Sequence, residues 1–228
     1  MGFFSRFKAI KLLFLVVAIL FLNGCVVQRL LQFKQQLKHA VAAIDFSQPG
    51  ILRFHHPVLF PEDIILITGI APSKIEGEQY TYDFIRPDQP VFSLTYRLLF
   101  KHNRLVVINY PDVFYNAVST SFALESLQLL GHSELPESGR WKLTPPNKTV
   151  RQIPSQATLL SVLGPPTSQS KVENNSVHHY TYQHPSIEGL QQLHLHLTYA
   201  GYQQSLIKVE IDFPGNRSWT IQLRAAKR

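Results

Sequence analysis

The chain has 228 residues, 45% hydrophobic and 11% aromatic, enough to bury a sizeable core and to exclude a disordered polymer. Charged residues make up only 16%, and the formal net charge of +7 falls to +4 once the first 24 residues are set aside. With no Lys/Arg-rich run, RNP-like stretch or zinc finger, this balance points away from a nucleic-acid partner.

Met1 to Lys11 is short and basic, and Leu12 to Leu22 is an unbroken apolar run. A basic start, an apolar stretch of roughly 7–15 residues and a small residue before the cut describe a secretory signal. A spanning helix needs about 20 apolar residues, so this run is short for one. The chain's single cysteine, Cys25, follows directly after Asn23-Gly24 and has no internal disulfide partner. No A-x-A-like cleavage site is present. Leu22-Asn23-Gly24-Cys25 instead resembles the lipobox of bacterial lipoproteins, with Leu and Gly three and one positions before the Cys. The resemblance implies cleavage between Gly24 and Cys25, acylation of Cys25, and no other cofactor. Val26 after the Cys implies sorting to the outer membrane, facing the periplasm. Several acyl chains, at about 0.8 kcal/mol per buried CH₂, make a stable anchor. An uncleaved signal anchor with an inert Cys is the alternative.

Residues 25–48 then read as the acylated Cys and an amphipathic helix. Leu30, Phe33, Leu37, Val41 and Ile44 recur at helical spacing, with Gln28, Gln32, Gln35 and His39 opposite. Arg29 on one flank and Lys34 and Lys38 on the other could snorkel toward phosphates while Leu30, Phe33 and Leu37 dip into a membrane interface. The same stripe could equally pack on the following domain.

The remainder contains an internal repeat. "PEDIILITGIAPS" (Pro61 to Ser73) echoes "PSQATLLSVLGPPTS" (Pro154 to Ser168), and Tyr80-Thr81-Tyr82 matches Tyr180-Thr181-Tyr182. Leu94-Thr95-Tyr96 and Leu197-Thr198-Tyr199 stand in the same relation to Val106, Ile108, Pro111 and to Val209, Ile211, Pro214. Each copy predicts a short helix ending at Gly69 or Gly164, followed by three strands. These lie at 79–85, 91–100 and 104–110 in residues 49–131, and at 177–183, 190–200 and 205–213 in residues 132–228, with an extra strand at 217–223. A helix over 112–130 links the copies. The expected class is α+β: two tandem copies of a short helix on a three-to-four-stranded antiparallel sheet. "LGPPTS" followed by a "YTY" strand and two long strands resembles the BamE/SmpA class of outer-membrane lipoproteins, and the tandem arrangement is similar to the β-lactamase-inhibitor-protein fold. That resemblance implies binding or envelope assembly with another envelope protein, without catalysis.

Alternation along the second copy puts Leu193, Leu195, Leu197 and Tyr199 on a core face and leaves His179, His194 and His196 on an open one. Imidazoles two apart on a strand could chelate Zn²⁺ or Cu²⁺. These three are the candidate metal ligands or the seat of an alternative enzymatic function; solvent-facing histidines are the simpler reading. No nucleophile elbow, P-loop, H-E-x-x-H or dinucleotide fingerprint occurs. The chain therefore reads as a non-enzyme with no catalytic residues.

Overall fold

The computed structural model describes residues 26–132, 140–143, 153–201 and 205–223. Gly24 and Cys25, the expected cleavage and acylation positions, lie outside these. Helix α1 covers 26–38 and a short α2 covers Ala40–Ala43. Strands β1 (Ile44–Asp45) and β2 (Ile51–Phe54) follow, then α3 (Pro61–Thr68), β3 (Lys74–Glu76), β4 (Gln79–Phe84), β5 (Leu94–Lys101) and β6 (Arg104–Asn109). Two helices, α4 (Asp112–Ala117) and α5 (Thr120–His132), replace the single linking helix expected, because Val118 leaves the helix in an extended conformation. The rest is β7 (Arg140–Leu143), α6 (Gln156–Leu163), β8 (Ser168–Val172), β9 (Asn175–Ser186), β10 (Gly189–Ala200), β11 (Ser205–Phe213) and β12 (Arg217–Gln222).

The class is mixed α+β with two sheets. The strand orders are β1-β2-β6-β5-β4-β3 and β7-β12-β11-β10-β9-β8. All pairings are antiparallel except β12 with β7. Among the described residues each sheet has six strands, against the three to four expected. The additional strands are short: β3 and β8 are edges exposed at every residue, β7 is a four-residue edge, and β1 and β2 have two and four residues. Because β1 pairs with β2, the boundary expected at residue 48 runs between two paired strands of the first sheet.

Local chemistry explains both short helices. α3 starts with Pro61 at its first position and ends at Gly69 with φ +71°. α6 is capped by Ser155, whose Oγ accepts from Thr158 N–H at 3.1 Å, and ends at Gly164 with φ +72°. The expected inner faces are also present: Tyr180, Tyr182, Leu197 and Tyr199 are buried.

α1 settles which way its stripe points. Leu37 is 1% exposed, and Leu30 and Phe33 pack against the core around it. The expected membrane-interface set Leu30, Phe33 and Leu37 therefore faces the protein. Arg29 is not a snorkelling cation either. Its Nε and Nη2 donate to the two Asp63 oxygens at 2.8 and 2.7 Å, and its guanidinium lies over the Phe60 ring. Asp63, itself buried, also accepts from Phe60 N–H at 2.9 Å. A carboxylate that caps α3 and clamps α1 outcompetes a phosphate for the same cation, since the pair is preformed and partly desolvated. On its other side α1 approaches α5 at Gly131, where a Cβ would stand 2.8 Å from Leu37 C and closer still to Lys38 N. Lys34 and Lys38 sit on this α5-facing flank, half-buried. Among the described residues no helix is long and apolar enough to cross a bilayer.

Asp63→Asn should lower unfolding stability in urea by about 3 kcal/mol, since it strands a part-buried guanidinium. Glu76→Gln, in the exposed Lys74–Glu76 pair, should cost under about 0.5 kcal/mol. Equal losses would mean that Asp63 does not clamp α1.

Candidate apolar cavity and the joint that frames it

The inner faces of the two sheets do not meet in a fully packed core. Between them lies a cavity of about 650 Å³. The first sheet contributes Leu52, Phe54, Tyr82, Leu98 and Ile108, and the second contributes Leu193, Leu195, Leu197, Ile211 and Phe213. The helices complete the wall: Phe33 and Leu37 of α1, Ile64 and Ile67 of α3, Phe114 of α4, Phe122 and Leu127 of α5, Leu159 and Leu163 of α6. Inner-face residues such as Leu193, Leu195 and Ile211 consequently remain only half-buried. The lining is almost entirely hydrocarbon, and among the described residues Lys34 is its one charged side chain. The volume falls within the range of about 300–1,000 Å³ that suits a small ligand.

Three residues of the wall carry a polar atom without a partner. The Tyr82 and Tyr182 hydroxyls and the Trp219 indole Nε1 are buried and have no hydrogen-bond partner among the described residues. A buried polar group without a partner costs about 1–3 kcal/mol, so each is unusual.

The sheets are joined at the rim by a reciprocal exchange. Backbone bonds run both ways between Ile85, just past β4, and Gln183 of β9, at 2.7 and 2.8 Å. Arg86, with a fully buried side chain, donates through Nη1 to Leu163 O at 2.8 Å and through Nη2 to Pro165 O at 3.0 Å, bracketing Gly164. Its remaining reach goes to Asp88, at 2.9 and 2.6 Å, and it lies over the Tyr180 ring at 5.3 Å. Conversely, His184 of β9 places Nδ1 2.8 Å from Asp83 O and Nε2 2.6 Å from Ala71 O, two residues after Gly69. The loop after each short helix is thus gripped by a basic side chain from the opposite sheet. Gly164 is needed here twice over: φ is positive, and an added Cβ would collide with the Phe92 ring.

The expected open face exists, and it brings together two of the three candidate histidines. His179 and His196 are direct cross-strand partners with Nδ1 atoms 2.7 Å apart. Ser170 Oγ lies 2.8 Å from His179 Nε2, and His196 Nε2 lies 3.2 Å from Asp212 Oδ2, making a four-residue hydrogen-bonded chain. His194 stands apart, its ring 6.4 Å from that of His196 and its Nδ1 3.3 Å from Thr181 Oγ1. Two ring nitrogens bonded to each other cannot both aim lone pairs at one metal ion. Among the described residues no group of three or more His, Cys, Asp or Glu is arranged to hold a metal. Ser170 and Asp212 were missed in the sequence because β8 and β11 supply them, and only strand register makes them neighbours of the histidines.

Burial, and for His179 the neighbouring His196, lowers the pKa of His178 and His179 below the ordinary value of about 6.5. The folded state then binds fewer protons than the unfolded state, so stability is complete above about pH 6.5 and declines as pH falls toward the folded values. Urea unfolding at pH 7.5 and 5.0 should show this loss. The double variant His178→Gln, His179→Gln should show a smaller pH dependence; an unchanged slope would assign the loss elsewhere.

With the fold and cavity in view, the chain can be set against known proteins: no protein-family model matches it, and neither the curated proteins nor the solved structures yield a match.

Proposed function

We propose that this chain is a lipid-anchored, non-catalytic protein of the bacterial envelope whose two sheets hold an apolar ligand, an acyl-chain lipid, between them. The observation that carries the proposal is the cavity: about 650 Å³ of nearly pure hydrocarbon wall, contributed by both sheets and five helices. Leaving that wall wet forgoes about 25 cal/mol per Å² of apolar surface, and each CH₂ of an inserted chain recovers about 0.8 kcal/mol. The lipobox-like Leu22-Asn23-Gly24-Cys25 supports the address, placing the protein on the outer membrane through an acylated Cys25, next to a supply of such chains.

The two-sheet architecture reads as a duplication. α3-β3-β4-β5-β6 and α6-β8-β9-β10-β11 run in the same order, each helix ends at a glycine with positive φ, and each opposite sheet grips the loop that follows. This supports a BamE-like unit present twice, with the cavity arising between the copies. Assembly with another envelope protein remains part of the reading, and the fully exposed edge strands β3 and β8 are suited to pairing with a partner strand.

The test is native mass spectrometry of the full chain extracted from envelopes of a Gram-negative host. One lipid mass beyond the Cys25 modification is expected to co-purify. Leu195→Trp, which fills the cavity from β10, should remove that mass while circular dichroism stays unchanged. Absence of a co-purifying lipid, or its persistence in a folded Leu195→Trp variant, would overturn the proposal. Cys25→Ser tests the anchor separately: it should shift the protein out of the membrane fraction.

A further inference from the structure

α1 turns one face to the protein and leaves the start of another in solvent. Val27 and Leu31, one turn apart on α1, are 49% and 48% exposed although both are apolar. At helical spacing they extend toward the N-terminus the stripe that carries Lys34 and Lys38. α5 meets α1 further along, where Gly131 stands against Lys34, Leu37 and Lys38. Leu31 and Val58, which precedes α3, line a surface depression together with Gln28, Gln32, Gln35 and Gln36. The patch is therefore aliphatic side chains set among uncharged amides. No Asp or Glu occurs in the sequence before Asp45.

Scattered exposed aliphatic side chains are ordinary on a protein surface, and Val41, at 69%, is one. Position separates Val27 and Leu31 from it. At a rise of about 1.5 Å per residue they stand about 3 and 9 Å along the chain from Cys25, whereas Val41 lies beyond the far end of α1, about 20 Å on. An acyl chain on Cys25 holds that residue at the boundary between headgroups and hydrocarbon, and an interfacial helix buries its apolar side about 5–10 Å into that zone. The bilayer is the one occupant whose place against Val27 and Leu31 the chain itself dictates. The neighbouring amides both donate and accept, which suits headgroup phosphates and esters. Resting on the proposed anchor at Cys25, we infer that Val27 and Leu31 insert into the headgroup region of the membrane, so that α1 fixes the orientation of the domain on the bilayer instead of leaving it on a free tether. Leu30, beside them on the inward face, lines the cavity, so the docked surface adjoins the cavity wall.

The test uses the full acylated chain in vesicles of phosphatidylethanolamine and phosphatidylglycerol, with one nitroxide label at a time on Val27→Cys, Leu31→Cys or Val41→Cys. Acylation keeps Cys25 itself from being labelled, and circular dichroism checks that each labelled chain is folded. Power-saturation EPR compares collisions with oxygen, which concentrates in lipid, and with a water-soluble nickel chelate. The Val27→Cys and Leu31→Cys labels should be about fivefold less accessible to nickel than the Val41→Cys label, with oxygen accessibility raised. Nickel accessibility equal at all three would overturn the inference, because the domain would then stand clear of the bilayer. Shielding of the first two from both reagents would also overturn it, since that marks contact with protein. Either result leaves the anchor standing. A chain with no acyl mass on Cys25 by mass spectrometry would instead remove the anchored reading, and the inference with it.

Discussion

The arrangement depends on the exchange at the rim of the two sheets. Their inner faces touch through Leu94, Phe84 and Tyr96 of the first sheet and Leu193 and Phe213 of the second but enclose space between them, so the interior alone does not dictate how far apart they stand. That distance is set where Ile85 and Gln183 share a backbone pair, where Arg86 reaches the carbonyls either side of Gly164, and where His184 reaches Ala71. Arg86 and His184 are buried, so their bonds are strengthened by low dielectric and costly to leave unmade. A buried guanidinium is tolerated because Asp88, two carbonyls and the Tyr180 ring satisfy it together.

A rim that is polar and specific allows a centre that is apolar and loosely filled. Close packing throughout would stabilise the fold further, but it would leave no room for a ligand. α1 belongs to the same economy of surfaces. Its apolar stripe serves as cavity wall, and the Arg29–Asp63 pair holds that wall against α3. In the proposed reading the helix directly follows the acylated cysteine, so the cavity wall begins where the membrane anchor ends. The outward histidine chain lies on the opposite side of the second sheet's β9–β11 face and takes no part in the cavity.

Much of the fold was legible from spacing. Strands β4, β5, β6, β9, β10, β11 and β12 and helices α3 and α6 fall where period-two alternation, capping residues and terminal glycines put them. The edges β3 and β8 were not legible, because a strand exposed at every residue carries no alternation. Val118 broke the linking helix where apolar spacing ran straight through. The partners of Arg29 and Arg86 were invisible for another reason. A lone arginine looks the same in sequence whether it faces solvent, a phosphate or a buried carboxylate, and Asp63 is 34 residues away from Arg29.

The cavity marks the division most clearly. The sequence by itself determined that Leu193, Leu195 and Leu197 share a face, that Tyr180 and Tyr182 point inward, and that Cys25 stands in a lipobox-like setting. Periodicity reports which side of a strand is apolar, because adjacent side chains must alternate. It carries no information about whether that side meets another surface or a void. Only the tertiary structure decided this, by joining the two sheets at Arg86 and His184 and thereby fixing the gap between their apolar faces.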